Sequence, residues 1–320
     1  NRRDFTREAG LGGVAMAGVG AGPFLEANNP KSMSETLPKE WDLEAEVVVI
    51  GSGATGLPAA IRAADQGVSV IVVDANYDIG GHGILSGGHV ALGGGTSAQK
   101  KYGIEDSPEI LFQDLTDWSV VEANGMPEYR YNDRGVQRAL ADNEAATYDF
   151  LANNGVEFVD AIPDVLGGHA IGVSAPRENH LVWDKGVSLE SPRGAGGTSL
   201  IRPLEASARK KGVKFLLNYH MDVIFRETSN SGRILGIQAS YSPTILPQTS
   251  IPLKSFSSQG NIEMQAERVT VKATRAVIIA TGGSTGNVNF RRMFDPRLTE
   301  EFQLAGEPYS AQDASGELAG

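Results

Sequence analysis

The apolar positions of the chain form short runs and stripes that predict alternating strands and helices. An apolar run at 47–50 ends in a glycine-rich turn, a helix-like stretch follows, and a second run at 68–73 ends in Asp74. A later run at 275–281 also ends in glycines. The first two runs and the stretch between them predict a strand, a glycine-rich turn, a helix and a second strand, and the run at 275–281 predicts another buried strand.

Residues 106–154 instead show helical spacing. Ser107-Pro108 supplies an N-cap and a first-turn proline, and Asn132 or Asp133 can cap a second helix. We expect the apolar stripe of the second helix to be core rather than cofactor contact. It comprises Val136, Leu140, Ala141, Ala145, Tyr148 and Leu151.

The second half of the chain predicts one more helix and an antiparallel meander. A helix over 200–211 follows a glycine-rich stretch at 194–198, which is either an anion-facing helix start or a tight entry turn. A strand at 213–217 continues toward Ile224, and Gly232 turns the chain into 234–241. Alternation then returns at Ile262, Met264, Val269 and Val271.

The turn after the first apolar run has the spacing of a dinucleotide-binding fingerprint. Gly51 permits a tight turn, Gly53 leaves bare backbone for a pyrophosphate, and Gly56 lets the helix pack closely on the sheet. Helix N-terminal N–H groups also favour phosphate. Asp74 lies about 20 residues further on, where a carboxylate accepts hydrogen bonds from an adenosine ribose and repels a 2′-phosphate.

A second glycine-rich segment, GGHGILSGG at 80–88, follows Asp74 closely. Its exposed backbone N–H groups can bind a planar ring and a phosphate tail, although a flexible surface loop is the alternative. The strand that ends at Thr281-Gly282-Gly283 supplies another glycine-rich edge for a ligand.

Composition narrows the classes of function. The 320 residues carry a net charge of −11 without a basic run, which argues against nucleic acid as a partner. The absence of cysteine excludes disulfides, thiol catalysis and Cys-ligated clusters within this sequence. None of the five histidines is four residues from another, so we predict no metal site.

The N-terminus resembles an export signal. Arg2, Arg3 and Phe5 match the twin-arginine motif, and the Gly/Ala-rich stretch at 11–21 is too short to span a bilayer. We therefore expect a signal peptide over 1–30, the twin-arginine translocase as a partner, and a periplasmic or otherwise exported protein. A solvated basic tail is the alternative. A polar linker at 31–44 precedes one domain at 45–320, with a helical insertion at about 106–190.

Three separated segments together resemble one known family. They are the glycine turn with Asp74, the loop at 80–88, and IIATGG with the later Gln312-Asp313-Ala314. The combination resembles the FAD-binding half of the fumarate reductase and succinate dehydrogenase flavoprotein superfamily, which also contains urocanate reductases and 3-ketosteroid dehydrogenases. The resemblance covers 45–320.

That resemblance implies an α/β fold, a Rossmann-like FAD-binding domain with a central parallel sheet, an antiparallel β-meander and inserted helices. It implies phosphates at 51–56 and ribose at Asp74, with adenine at Met221 and Asp313 near the ribityl or phosphate part. The residues implied to face the flavin are His82, Gly83, Gly87 and Gly88. The predicted cofactor contacts are Gly51, Ser52, Gly53, Ala54, Thr55, Gly56, Asp74, Ala75, Gly80, Gly81, His82, Gly83, Ser86, Gly87, Gly88, Met221, Thr281, Gly282, Gly283 and Asp313.

The implied activity is hydride transfer between flavin N5 and an activated C–C bond of an α,β-unsaturated carboxylate or carbonyl compound. A separate electron donor or acceptor is expected. In this family the proton donor, substrate arginines and capping domain lie beyond the position of Asp313. We therefore expect an incomplete FAD domain and assign no catalytic residue. In the quinone-linked members of the family a histidine near the position of His82 is joined covalently to the flavin. The 80–88 spacing looks more like that of the ketosteroid dehydrogenases and is one residue shorter than in soluble fumarate reductases, so we expect a non-covalent flavin beside His82.

Three alternatives remain. A ketosteroid-type dehydrogenase acting on a cyclic ketone fits the 80–88 spacing. An incomplete flavoprotein without turnover fits a chain that stops at Gly320. A nicotinamide-binding Rossmann dehydrogenase leaves both the 80–88 loop and the Asp313 segment unexplained.

Overall fold

The structure is a computed structural model that describes residues 37–116, 133–165, 175–182, 196–228, 231–302 and 311–320. The predicted export signal, the alternative cap Asn132 and the start of the 194–198 stretch lie outside these residues. The strands are β1 (Leu43–Ile50), β2 (Val70–Asp74), β3 (His89–Ala91), β4 (Glu178–His180), β5 (Lys214–Leu217), β6 (Tyr219–Thr228), β7 (Ser231–Tyr241) and β8 (Arg268–Ile279). The helices are α1 (Gly56–Asp65), α2 (Ser97–Lys101), α3 (Pro108–Thr116), α4 (Arg134–Asn153), α5 (Thr198–Lys210), α6 (Val288–Phe294) and α7 (Ser315–Ala319), with a 3₁₀ turn at Gly81–Leu85.

One six-stranded sheet has the order β5-β2-β1-β8-β7-β6, and β3 and β4 form a separate two-stranded ribbon. Strands β5, β2, β1 and β8 run parallel, whereas β8, β7 and β6 pair antiparallel. This confirms the predicted α/β class with a mostly parallel central sheet and a meander. In the described part of the chain, no helix is long and apolar enough to cross a membrane.

The parallel strands are apolar on both faces because both faces are covered. Val47 and Val49 of β1 face one buried cluster, to which α1 and α5 contribute Leu57 and Ile201. Val48 lies in the other cluster, with residues of the meander strands. Successive side chains of a strand point to opposite faces, so a continuous apolar run is what a two-sided core requires.

Strand β8 differs from the prediction of two separate strands. Its first half pairs antiparallel with β7 from Arg268 to Lys272, and its second half continues beside β1 to Ile279. One strand therefore joins the meander to the parallel sheet. Ile262 and Met264 lie outside it and pack against the second cluster. Strand β1 also begins at Leu43, inside the segment expected to be linker.

Helix α4 is capped as predicted, since the Asp133 carboxylate accepts bonds from the backbone N–H groups of Gly135 and Val136. Its stripe is only partly core. Ala141, Tyr148 and Leu151 are buried, but Val136 and Leu140 are 62% and 47% exposed. The prediction was wrong for these two residues because the first turns meet α3 through cation–π contacts of Arg134 and Arg138 with Phe112.

Candidate cofactor site

A cleft opens where the carboxyl ends of β1, β2 and β8 meet. It encloses about 1000 Å³ of space, a volume that includes open solvent at its mouth. Backbone bonds hold its floor together: Gly51 N–H donates to Val73 O (2.7 Å), and Ala280 N–H donates to Ile50 O (2.8 Å). Ligands of open α/β sheets bind at this edge.

The glycines of the first turn differ in what a side chain would meet. Gly51 has φ +99°, and a Cβ there would overlap the Ala280 carbonyl oxygen. A Cβ on Gly56 would overlap the Gly51 carbonyl oxygen, so α1 packs directly on the turn. A Cβ on Gly53 would come no nearer than 3.7 Å, to Gly80 O. Gly53 therefore faces open space, and the packing of the fold does not require a glycine at this position.

Asp74 is buried at the wall of the cleft. Its Oδ2 accepts from Ser52 N–H (2.7 Å) and Ser52 Oγ–H (2.6 Å), and its Oδ1 accepts from Asn76 N–H (2.8 Å). Burial raises the pKa of the carboxyl, although these donors act in the opposite direction. The carboxyl thus orders the turn from inside the protein, and Oδ1 keeps one lone pair for a further donor.

The loop after β2 brings His82 into the cleft. Gln312 Nε2 donates to His82 Nδ1 at 2.5 Å, while Gln312 Oε1 accepts from Thr285 Oγ–H at 2.5 Å. This pairing places the proton of the neutral imidazole on Nε2. Gln312 and Ala314 have φ of +45° and +65°, which is rare for residues other than glycine. A segment over 230 residues away in sequence therefore shapes the site under backbone strain.

The structure brings most of the predicted contacts to one place. The predicted residues that line the cleft are Gly51, Ser52, Gly53, Ala54, Thr55, Asp74, Ala75, Gly81, His82, Gly83, Met221, Thr281, Gly282 and Asp313. Six others do not line it: Gly56, Gly80, Ser86, Gly87, Gly88 and Gly283.

The start of α5 explains part of that difference. Gly197 N–H donates to Ser86 O at 2.8 Å, and a Cβ on Gly197 would overlap Gly83 O. Gly197 thus forms a tight entry turn against the 80–88 loop. Of the two alternatives for this stretch, the structure favours close packing.

Sequence reasoning missed other residues that line the cleft, including Asn76, Tyr219, His220 and Gln312. Asn218, with φ +64°, separates β5 from β6 and turns the chain so that 219–221 cross the cleft. Asparagine tolerates this conformation better than most residues. An asparagine between two apolar runs was therefore the available signal.

His220 joins two carboxylates at the cleft wall. Its Nε2 lies 2.8 Å from Asp313 Oδ2, and its Nδ1 lies 3.7 Å from Asp222 Oδ1. Asp222 and Asp313 together raise the pKa of His220 to about 9. His220 in turn holds the pKa of the Asp313 carboxyl well below its ordinary value. The pair ties β6 to the 311–315 segment.

The contact between His220 and these carboxylates predicts that the free energy of unfolding depends on pH. The folded pKa of His220 lies above the unfolded value of about 6.5, so its stabilisation is complete below that pH and is lost as pH rises through about 9. Urea unfolding at pH 6 and pH 9.5 should show that wild type loses about 1–2 kcal/mol more than His220→Asn, a figure reduced for partial exposure. Equal losses in both proteins would contradict the assignment.

The chain is similar to a known protein family and to several known enzymes. Residues 46–307 match the FAD binding domain family. The acrylate reductase flavoprotein subunit of Shewanella woodyi is 27% identical over 319 residues, covering 99% of this chain and 53% of that protein. Urocanate reductase of Eggerthella lenta is 25% identical over 265 residues, covering 82% of this chain and 36% of that protein. The chain thus spans about a third to a half of these relatives' lengths.

A solved structure shows the same fold. The 3-ketosteroid-Δ4-(5α)-dehydrogenase from Rhodococcus jostii superposes with a TM-score of 0.65 at 27% identity, covering 89% of this chain and 56% of that one. The predicted resemblance to this flavoprotein superfamily is confirmed. The unobstructed backbone at Gly53 and the glycine-rich lining of the cleft fit FAD. Because the match spans most of its length, the chain belongs to the FAD binding domain family.

Proposed function

We propose that this chain is the FAD-binding part of an oxidoreductase that reduces or oxidises an activated C–C bond of an α,β-unsaturated carboxylate or carbonyl compound. The observation that carries the proposal is that no nearby atom obstructs the backbone of Gly53 on the floor of the cleft. The same cleft is lined by the loop that bears His82. Relatives named as acrylate and urocanate reductases support this substrate class. Bound FAD would supply hydride donation or acceptance at N5.

The chain's own residues would bind and orient the cofactor. Residues 51–55 and the first turn of α1 would hold the phosphates through backbone N–H groups. The free lone pair of Asp74 Oδ1 would accept a ribose hydroxyl, and Met221 would contact the adenine. Gly81, Gly83 and Thr281-Gly282 would face the flavin. The predicted contacts outside the cleft would shape the 80–88 loop and the strand end at Gly283.

A substrate panel tests the activity. The purified full-length protein, reconstituted with FAD, should oxidise a reduced dye with acrylate, fumarate or urocanate as acceptor. A steroid dehydrogenase is the second candidate, favoured by the Rhodococcus superposition, and predicts turnover of a 3-ketosteroid instead. Bound FAD without turnover of any compound would support the third candidate, a flavoprotein that is not catalytic. Failure to bind FAD would contradict all three.

The flavin linkage is a separate question. Because the 80–88 spacing looks more like that of the ketosteroid dehydrogenase branch, we propose that the flavin lies beside His82 without a covalent bond to its ring. Denatured protein on a gel should then show no flavin fluorescence, and FAD should be released on acid precipitation. A fluorescent band that is lost in His82→Asn would overturn this.

The cellular setting is also proposed. Arg2 and Arg3 support twin-arginine export of the folded, FAD-loaded protein to the periplasm, where a separate electron donor or acceptor would exchange electrons with it. Replacement of both arginines by lysine should retain the protein in the cytoplasm. Unchanged export would contradict this route.

A further inference from the structure

We propose that His89, Glu178 and His180 bind one divalent metal ion of the zinc class on the β3–β4 ribbon. None of the three residues lines the cofactor cleft. The inference therefore goes beyond the proposed redox function. It also departs from the expectation of no metal site, which considered histidine spacing on helices but not on paired strands.

Strand pairing brings the three side chains to one face. The antiparallel register places His89 directly opposite His180, with ring centroids 4.9 Å apart. Glu178 lies two residues from His180 and so points to the same side of the ribbon. One ligating atom from each of the three residues lies within 4.8 Å of the other two. Two imidazoles and a carboxylate thus converge from only six strand residues.

The spacing is close to that of a metal site. Zinc bonds of about 2.1 Å in a tetrahedron place ligand atoms about 3.4 Å apart. His89 Nδ1 is hydrogen-bonded directly to Glu178 Oε1. A bound ion would therefore lie between these two atoms and draw the His180 ring toward it. The side chain of His89 is 48% exposed, which leaves its ring room to rotate away from Glu178.

His180 has the protonation pattern of a metal ligand. Its Nε2 lies 2.8 Å from Asp164 Oδ2, which fixes the ring proton on Nε2. Its Nδ1 is buried and has no hydrogen-bond partner among the residues that the structure describes. A buried lone pair without a partner is costly, whereas a bound cation would satisfy it. Histidine ligands of metals are commonly oriented by a carboxylate in this way.

The donor set selects the class of ion. Two imidazoles and one carboxylate with an open fourth position suit zinc and poorly suit magnesium or calcium. The ion would act as a cross-link. A ribbon of two three-residue strands is weak alone, and β3 begins directly after Gly88. Bound metal would therefore fix the exit of the 80–88 loop.

Cobalt(II) binding tests the site. The full-length protein, treated with EDTA, should bind one equivalent of Co²⁺ with intense tetrahedral visible bands, and Zn²⁺ should displace it. His180→Gln and His89→Gln should each weaken binding about 100-fold or more, and Asp164→Asn about 10-fold. Glu44→Gln, an exposed carboxylate change on β1, serves as the matched control and should bind normally.

A thermal measurement tests the cross-linking role. Zn²⁺ should raise the unfolding temperature of wild type but not of His89→Gln, whose exposed side chain makes it the variant least prone to misfold. The absence of stoichiometric uptake would overturn the site, as would unchanged Co²⁺ affinity in both histidine variants. FAD content is measured in the same samples, so loss of the metal site is distinguishable from failure of the cofactor site.

Discussion

Gly53→Ala should weaken FAD binding about 100-fold while the unfolding temperature of the FAD-free protein stays unchanged. The new methyl group would meet no protein atom nearer than 3.7 Å, so the fold accommodates it. It would instead occupy the space in which a pyrophosphate must approach the backbone N–H groups. Titration of FAD-free protein with FAD, followed by flavin fluorescence, measures the effect.

Gly56→Ala should have the opposite effect: it should lower the stability of the fold rather than act on FAD binding alone. Its methyl group would overlap the carbonyl oxygen of Gly51, and neither backbone segment can move without opening the helix–sheet contact. We expect a loss of about 3 kcal/mol or more in unfolding free energy, at the upper end for overpacking. Gly67→Ala is the matched control. It has φ +75° and open surroundings, so it should cost about 1 kcal/mol and leave FAD binding intact.

The contrast between the two variants tests the proposed roles of the glycine turn. If Gly53→Ala retained wild-type FAD affinity, the pyrophosphate would not lie against this backbone, and the proposed cofactor placement would be wrong. If Gly56→Ala were as stable as wild type, the close packing of α1 on the turn would be wrong.

The sequence predicted the part of the site that is local in the chain. This part spans 32 residues and comprises β1, the turn after it, α1 and β2. The period of the hydrophobic positions and the spacing of the glycines specify these elements directly. The same reasoning failed for β8, because apolar alternation does not reveal that one strand pairs with β7 from Arg268 to Lys272 and with β1 from Val271 to Ile279. Sheet order determines that pairing, and a single strand's pattern carries no information about order.

Distant contributors to the cleft were harder to predict for the same reason. His220 and Gln312 reach the site only because β6 and the 311–315 segment cross the end of the parallel strands. The ion pairs made by the described residues of 160–197 were also missed, since that stretch shows neither helical nor strand periodicity. Arg177 is the clearest case.

Arg177 holds two buried carboxylates. Its guanidinium makes two bonds of 2.9 Å to Asp106 and one of 2.6 Å to Asp114. The side chains are 11%, 0% and 8% exposed, respectively. Arg177 lowers the pKa of Asp106, although burial alone would raise it. The residue thus connects β4 to the segment before α3 and to α3 itself.

Arg177→Met should lower the unfolding free energy by about 3–5 kcal/mol. The methionine roughly replaces the volume of the alkyl stem, but it leaves two carboxylates in a site that water reaches poorly. Urea unfolding at pH 7 measures the loss. Arg275→Met is the matched control: Arg275 also pairs with a carboxylate, Glu46, but its side chain is 64% exposed, and we expect less than about 1 kcal/mol.

A second substitution separates lost charge from lost packing. Adding Asp106→Asn to Arg177→Met removes one of the stranded charges, so it should recover part of the stability at pH 7. The same double variant should gain little over Arg177→Met below pH 4, where carboxylates protonate. If the arginine acted only by filling space, Asp106→Asn would recover nothing at either pH. The ion pairs would then not be what joins the ribbon to the helices.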